Sequence, residues 1–154
     1  MKTRPATLDD LAILVHQRVA MFTDMGVPMD AGVVASGYRA WLAAMMPAGT
    51  YRAWLVESDA GAVIAGGGVT ILPWPPGPTY PGGRLAFVYN LYVEPAHRRQ
   101  GLGTRVMETI HAWCRAEGIA SAALNASGDG QPLYEAMGYR VTASPMMFCT
   151  IDQA

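Results

Sequence analysis

Two arginines, a glutamine and two spaced glycines lie close together in the run HRRQGLGT, from His97 to Thr104. The run directly follows a strand-like segment, LAFVYNLYVEP, and directly precedes a helix-like segment, TRVMETIHAWCRAEG. The start of a helix leaves four backbone N–H groups without partners and carries partial positive charge, which suits it to binding phosphate. The sequence therefore predicts an anion site at the point where this strand becomes this helix.

The residue types in the run fit that chemistry. Gly101 and Gly103 have no side chain that would hold a phosphate away from the backbone amides, and Thr104 adds a hydroxyl donor. Arg98 and Arg99 add positive charge, and a guanidinium fork matches phosphate oxygens. Taken alone, so short a motif fits a glycine-containing turn with solvated arginines as well as it fits a phosphate site.

Two common nucleotide-binding motifs do not match the run. A P-loop requires GxxxxGK[ST], which the sequence lacks. A dinucleotide-binding fingerprint requires GxGxxG, but the third residue after Gly103 is Val106. The phosphate-bearing ligand is therefore expected to belong to another class.

The elements that must position this run follow from the hydrophobic periodicity. Thr7 and Asp30 are expected to cap two helices, and period-two segments then predict strands over 50–58, 62–74 and 84–94. A helix over about 101–117 and a strand over 119–126 complete a strand–helix–strand unit with a parallel crossover. The triple glycine at 66–68 suggests a bulge or a close approach by another backbone segment.

The rest of the chain completes a mixed sheet. Residues 1–5 are predicted to form an edge strand, residues 131–138 a short helix, and YRVTASPMMFCTI at 139–151 two closing strands. This order predicts a single α+β domain over 1–154, with a mixed, mostly antiparallel sheet of six to seven strands and helices on both faces.

Composition excludes several classes of function. The chain has 154 residues and a net charge of -1, so no basic excess marks it as a nucleic-acid-binding protein. Cys114 and Cys149 form no CxxC pair, and we expect no metal site. Neither a signal peptide nor a membrane-spanning stretch is recognisable, so a cytoplasmic protein without membrane partners is expected.

The segments NLYVEPAHRRQGLGTRVMETIHAWCRAEGI and LNASGDGQPLYEAMGYRV together resemble the GNAT superfamily of N-acetyltransferases. The resemblance covers residues 84 to 142. The family's LYxxxGF motif is matched by LYEAMGY, with Tyr139 in place of phenylalanine. Its acetyl-CoA signature, [QR]-x-x-G-x-[GA], is matched by Arg98, Arg99, Gln100, Gly101, Leu102 and Gly103. The resemblance implies a GNAT-like fold and acetyl-CoA as co-substrate, with no metal.

The resemblance also implies roles for individual residues. The signature residues and Thr104 would bind the CoA pyrophosphate through backbone amides. The strand end at Leu91, Tyr92 and Val93 would bind the pantetheine arm through backbone groups, and Asn125 would contact the same arm. Tyr134 would act as the general acid that protonates the departing thiolate, while a backbone N–H of the strand end stabilises the oxyanion. The alternative is a purely structural role for Tyr134, as an aromatic side chain that packs the last helix on the sheet.

Other functional questions stay open at this point. No carboxylate lies beside the expected acetyl site, so Glu57, Asp24 and Asp30 are candidates for the general base by location alone, together with a water chain. The acceptor site is expected to form from the loops at 22–30 and 73–83 and a hairpin at 144–147. Its apolar side chains would come from Met25, Met29, Trp74 and Tyr80, unless these residues only cover the edge of the sheet.

The leading hypothesis is an N-acetyltransferase that moves acetyl from acetyl-CoA to a primary amine of a small molecule or protein by direct attack. A non-catalytic acyl-CoA-binding sensor or regulatory module would share the phosphate site but would not need Tyr134. A third alternative is a phosphate-binding fold for another nucleotide. Members of the family often form homodimers, and the resemblance leaves a homodimer open for this chain.

Overall fold

The computed structural model describes residues 1–78, 80–144 and 146–151. The strands are β1 (Lys2–Pro5), β2 (Tyr51–Glu57), β3 (Val63–Pro73), β4 (Arg84–Val93) and β5 (Ala122–Leu124). The helices are α1 (Leu11–Asp24), α2 (Ala31–Met45), α3 (Leu102–Ala116) and α4 (Gln131–Ala136). Short 3-10 helices at Leu8–Asp10 and Pro95–His97 precede α1 and α3. None of the helices in these ranges is long and apolar enough to cross a bilayer.

The strands form one sheet in the order β1-β2-β3-β4-β5. The first four pair antiparallel, and β5 pairs parallel with β4. A parallel neighbour requires a crossover, which α3 supplies. The α+β class, the mostly antiparallel sheet and the edge position of β1 are confirmed.

The helices cover both faces of the sheet, as predicted. In β2, Tyr51, Ala53 and Leu55 join a cluster of buried residues with α1 and α2. The intervening Trp54 and Val56 join a second cluster, which contains the apolar face of α3. This alternation follows from the two-residue period of a strand, which sends successive side chains to opposite faces. The sheet is therefore buried between two helical layers.

The triple glycine of β3 is explained by close approach of side chains. A Cβ at Gly68 would lie 2.0 Å from Tyr51 Oη, and one at Gly66 would lie 2.4 Å from Gln17 Oε1. A Cβ at Gly67 would lie 2.8 Å from Val106 Cγ1, on the α3 face. The same segment carries a register shift against β4 between Gly66 and Gly68. The irregular pairing predicted for this segment is present, with the extra residue in β4, and the groups that approach the glycines are side chains rather than the predicted backbone.

Both predicted helix caps are present. Thr7 forms a reciprocal capping box with Asp10 at the first 3-10 helix, and the Asp30 carboxylate accepts a hydrogen bond from Val33 N at 3.0 Å. Gly118 follows α3 with φ of 68°, the left-handed conformation that commonly ends a helix. The local signals at these positions therefore agree with the tertiary structure.

The number of strands was predicted wrongly. The sheet has five strands, and no strand occurs within 139–144 or 146–151, where two were expected. Pro145 lies outside the described residues. The apolar residues Val141, Met147 and Phe148 are 78%, 91% and 93% exposed. An alternating pattern predicts a strand because one face is buried, and this segment buries neither face.

Candidate active site

A bulge in β4 marks the centre of the candidate site. Asn90 has φ of 57°, a left-handed conformation that asparagine tolerates better than most residues. Tyr89 pairs with Gly68 and Tyr92 pairs with Gly66, so Asn90 and Leu91 together oppose Gly67. Such a two-against-one arrangement disrupts the ladder and redirects side chains. Consecutive side chains, Tyr89 and Asn90, consequently face the same cavity.

The edge of β4 that faces β5 loses its partner at the same place. β5 pairs with β4 only at Ala86, Phe87 and Val88. From Tyr89 to Val93, no described strand pairs with this edge, although β3 still pairs with the other. Unpaired strand edges present N–H and C=O groups that can bind an extended ligand as an added strand would. The predicted pantetheine contacts at Leu91, Tyr92 and Val93 lie on this free stretch.

The turn that leads into α3 has the form expected of an anion site. Gly101 is the N-cap of α3 with φ of 76°, and no side chain caps the helix. A Cβ at Gly101 would meet nothing within 4 Å, so glycine is favoured there by its backbone angle rather than by space. Arg99 also has positive φ, 60°. Left-handed residues in such turns direct successive N–H groups inward, as in known anion-binding nests.

Arg98 and Arg99 occupy different environments. Arg98 donates from Nε to the Val93 carbonyl at 2.9 Å and forms an ion pair with Asp24. This ion pair raises the pKa of the Arg98 guanidinium. Arg98 therefore connects the turn to the end of β4 and to α1. Arg99 is exposed and makes no hydrogen bond with the described residues.

The start of α3, the end of β4 and α4 meet around Gly103. A Cβ there would lie 3.1 Å from Leu133 Cδ1 and 3.8 Å from Leu91 Cδ2. Leu102 is buried in the core on the same face of the sheet. These contacts hold Tyr134, which follows Leu133 in α4, on the side of the sheet that carries the α3 turn. Of the other predicted residues, Gln100 lies in the turn before α3, Thr104 lies in the first turn of α3, and Asn125 is exposed just past the end of β5.

Tyr134 is half-buried against the α3-side core. A tyrosine hydroxyl is protonated at neutral pH, and burial raises the pKa of this phenol further from neutrality. The hydroxyl makes no hydrogen bond with any side chain or backbone group in the described ranges. A protonated and unengaged phenol is what a proton donor requires.

Tyr139, where the family motif has phenylalanine, has a partner for its extra hydroxyl. Its Oη lies 2.8 Å from His111 Nε2, and the two rings stack with centroids 5.6 Å apart. Burial, followed by the charge of Arg115, lowers the pKa of His111. This pair is not predictable from sequence spacing, because it joins the middle of α3 to the segment after α4.

A cavity of about 580 Å³ lies between α1, α2 and the bulge of β4. This volume is typical of small-molecule sites, which measure about 300–1,000 Å³. The lining is largely apolar and aromatic: Arg18, Phe22, Val33, Val34, Gly37, Tyr38, Trp41, Tyr89 and Asn90. The predicted loops contribute only Phe22 among these residues.

The loops predicted to form the acceptor site therefore contribute little to this cavity, and their role stays a prediction. Trp74 and Tyr80 contact each other with ring centroids 6.0 Å apart, and neither lines the cavity, nor do Met25 and Met29. The cavity lies instead over the β4 bulge, in the space left between α1 and α2. Part of the expected 73–83 loop, Thr79, and part of the expected 144–147 hairpin, Pro145, lie outside the described residues.

A buried polar network forms the floor of the cavity. Asn90 Nδ2 donates to Tyr38 Oη at 2.7 Å, and Tyr38 Oη donates to Tyr51 Oη at 3.2 Å. Arg18 Nη1 donates to Asn90 Oδ1 at 2.5 Å. Burial raises the pKa of both Tyr38 and Tyr51, so both stay neutral hydroxyls. The network fixes the side chain of Asn90 and thereby supports the bulge.

Arg18 was not among the predicted site residues, although its position in the sequence is unusual. Arg18 falls at the same helical spacing as Leu14 and Val15, which are buried. A cation on the core-facing side of an amphipathic helix is unusual and needs a partner. Here that partner is the β4 bulge.

No described carboxylate lines the cavity. Each residue considered as a base is engaged elsewhere: Glu57 with Arg4, Asp24 with Arg98, and Asp30 at the cap of α2. Glu94 lies 3.2 Å from His16 Nε2. Among the described residues, no cluster of three or more histidine, cysteine or acidic side chains could hold a metal ion.

Comparison with known proteins identifies the family and the fold. The family described as acetyltransferase (GNAT) domain matches residues 49–141. A GCN5-related N-acetyltransferase from Ralstonia eutropha JMP134 is 36% identical over 96% of this chain and 97% of that chain, with a TM-score of 0.86. No curated protein matches the sequence significantly.

Two more distant structures share the fold. A predicted acetyltransferase from Clostridium acetobutylicum, solved with acetyl-CoA, is 23% identical over 96% of this chain and 95% of that chain, with a TM-score of 0.87. An aminoglycoside 6′-N-acetyltransferase from Acinetobacter haemolyticus is 20% identical over 99% of this chain and 100% of that chain, with a TM-score of 0.76. Because the family model matches residues 49–141, more than half of this chain, the chain belongs to the GNAT family of acetyltransferases.

Proposed function

We propose that this protein is an N-acetyltransferase that moves the acetyl group of acetyl-CoA to a primary amine of a small molecule by direct attack. The observation that carries the proposal is the position of the β4 bulge. At Asn90 the strand leaves β5 on one edge and lines a cavity with Tyr89 on the α1–α2 side. A thioester carried along the free edge would therefore reach the floor of an acceptor cavity.

The residues of the turn fit the CoA pyrophosphate. The uncapped amides at the start of α3 and the left-handed Arg99 and Gly101 offer backbone donors to an anion. Arg99, Gln100 and Thr104 can add side-chain contacts, while Arg98 orients the turn through Val93 and Asp24. Gly103 lets α3 approach Leu91 and Leu133 closely. Asn125, next to the end of β5, remains a predicted contact of the pantetheine arm.

Tyr134 is the proposed general acid. The departing thiolate takes up a proton from its phenol, which is protonated at neutral pH and whose pKa burial raises further. A backbone N–H on the free stretch of β4 is the proposed stabiliser of the oxyanion. No covalent intermediate on the protein is needed, because the amine attacks the thioester directly.

The acceptor amine is proposed to lose its proton to water. The three carboxylates considered as bases are engaged in other contacts. Apolar walls disfavour an ammonium ion over the neutral amine, because desolvation penalises the charged form. The proton can then leave through the mouth of the cavity. This route predicts that kcat/KM rises with pH until the free amine is neutral.

Two tyrosine variants test the proposal, because they separate catalysis from stability. Tyr134→Phe removes a hydroxyl without a described hydrogen bond, so turnover should fall about 10²- to 10⁴-fold with little change in Tm or in acetyl-CoA affinity. Tyr139→Phe is the matched control. It breaks the bond to His111 and should lower stability by about 1 kcal/mol while turnover is kept.

The measurements are thiol release over an amine library, calorimetric titration with acetyl-CoA, and thermal unfolding with acetyl-CoA, CoA and ATP. Full turnover by Tyr134→Phe would remove the acid assignment. Stabilisation by ATP but not by CoA would overturn the transferase proposal itself.

A further inference from the structure

The acceptor cavity contains one cation whose hydrogen-bonding capacity is only partly used. We propose that Arg18 binds a carboxylate of the acceptor, so that the substrate is an amine carrying one carboxylate and an apolar or aromatic body, as an apolar amino acid does. The inference rests on the function proposed above. It adds the chemical class of the acceptor.

The guanidinium of Arg18 is held in a fixed position. Its carbon lies 4.9 Å from the ring centroid of Phe22 and 4.8 Å from that of Tyr38. Nη1 donates to Asn90 Oδ1 at 2.5 Å. Two aromatic contacts and one hydrogen bond orient a planar group in advance, so little side-chain entropy remains to be lost on binding a ligand.

Part of the guanidinium fork remains available. Among the described residues, Nε and Nη2 of Arg18 make no hydrogen bond and no ion pair. Both groups are donors, and two adjacent guanidinium N–H groups match the two oxygens of a carboxylate. The side chain is half-buried and lines the cavity. A carboxylate in the cavity could therefore form a charge-assisted pair with Arg18 that water only partly screens.

The surroundings do not neutralise this charge. Arg18 is the one charged residue among the described lining residues. The nearest acidic residues along α1 and at the start of α2 have other partners: Asp24 pairs with Arg98, and Asp30 caps α2. A cationic acceptor without an acid group would be repelled by Arg18, and a neutral one would leave its donors unsatisfied.

The remaining walls indicate the rest of the ligand. Phe22, Val33, Val34 and Trp41 present apolar and aromatic surface, which suits a hydrocarbon or aromatic body. With one cation in the lining, a single negative charge is matched and a phosphate dianion is not. These features together favour a monocarboxylate with an apolar side chain and an amine directed at the β4 bulge.

A binding experiment isolates the anion site from catalysis. 3-Phenylpropanoate and the neutral 3-phenylpropanamide differ in charge at one end, and neither can accept an acetyl group. Calorimetry on the full chain should show the acid binding about ten- to hundredfold more tightly than the amide. Arg18→Met should abolish that preference and retain contact with the two rings.

Arg52→Met is the matched control. Arg52 also lies over an aromatic ring, 5.3 Å from the centroid of Trp113, and does not line the acceptor cavity. This variant should keep the preference for the acid. Equal binding of acid and amide by the wild type, or an unchanged preference in Arg18→Met, would overturn the proposal.

Turnover with L-phenylalanine and phenethylamine separates this inference from the proposed function. The amino acid should have the higher kcat/KM once the neutral fraction of each amine is taken into account, and Arg18→Met should remove the difference. Acetylation of phenethylamine at least as fast as of L-phenylalanine would overturn the carboxylate inference and leave the transferase standing. Binding of the acid through Arg18, with no amine acetylated, would instead overturn the transferase.

Discussion

Gly68→Ala tests whether the glycines of β3 keep space for the polar network below the acceptor cavity. The added Cβ would lie 2.0 Å from Tyr51 Oη and 2.3 Å from Tyr51 Cζ. Tyr51 is 1% exposed, and its hydroxyl is held by Tyr38. A rigid ring in that position cannot rotate away, so either the ring or the strand must shift.

The expected cost follows from overpacking a core, typically about 1–3 kcal/mol. For a chain of this size, each kcal/mol corresponds to about 2–4 °C in Tm, so Tm should fall by roughly 2–12 °C. A displaced Tyr51 would also disturb Tyr38 and Asn90, which line the cavity. The KM for the acceptor amine should therefore rise, while the affinity for acetyl-CoA changes less.

The assay is thermal unfolding together with steady-state kinetics, and two further variants sharpen it. Gly37→Ala makes the same chemical change in α2, where a Cβ meets nothing within 4 Å, and should raise stability by about 0.5–1 kcal/mol. In a Tyr51→Ala background, Gly68→Ala should cost less than in the wild type, because the clashing ring is gone. An unchanged Tm for Gly68→Ala, or the same cost in both backgrounds, would refute the reasoning.

Three other outcomes are expected. The Arg4 ion pair lowers the pKa of Asp10 to about 2, so Asp10→Asn should cost about 2 kcal/mol at pH 7. Urea titrations should show the difference shrinking as pH falls below 3.8 towards 2. Because burial lowers the pKa of His111, Tm should decline as pH falls below 6.5, and His111→Gln should flatten that decline. Gly101→Ala, strained at φ of 76°, should lose about 1 kcal/mol and weaken CoA binding in calorimetry.

Local chemistry made much of the fold predictable. Thr7 and Asp30 cap helices because their side chains satisfy free N–H groups, a requirement that depends only on nearby residues. The triple glycine of β3 pointed to a close approach, although its sequence could not name the approaching groups. Those groups, from Tyr51, Gln17 and α3, come from distant parts of the chain.

The errors arose in segments whose structure depends on packing against distant parts of the chain. The alternating residues of 139–151 predict strands, yet Met147 and Phe148 are exposed and pair with no described strand. A cavity lies between two helices and the β4 bulge, and it is lined by Arg18, which was not among the predicted site residues. A pattern of single residues cannot report that a strand bulges at Asn90 and meets that cation.

Asn90 suits the bulge because its amide side chain can both donate and accept a hydrogen bond. Its amide donates to Tyr38 and accepts from Arg18, so one neutral side chain satisfies both neighbours. An aspartate would lose the donor and pair with Arg18 as an ion, which would cancel the charge proposed to bind the acceptor. Asn90→Asp should therefore remove the preference for carboxylate ligands even though Arg18 is intact. A preference that survives this substitution in the 3-phenylpropanoate titration would show that charge at Arg18 does not select the acceptor.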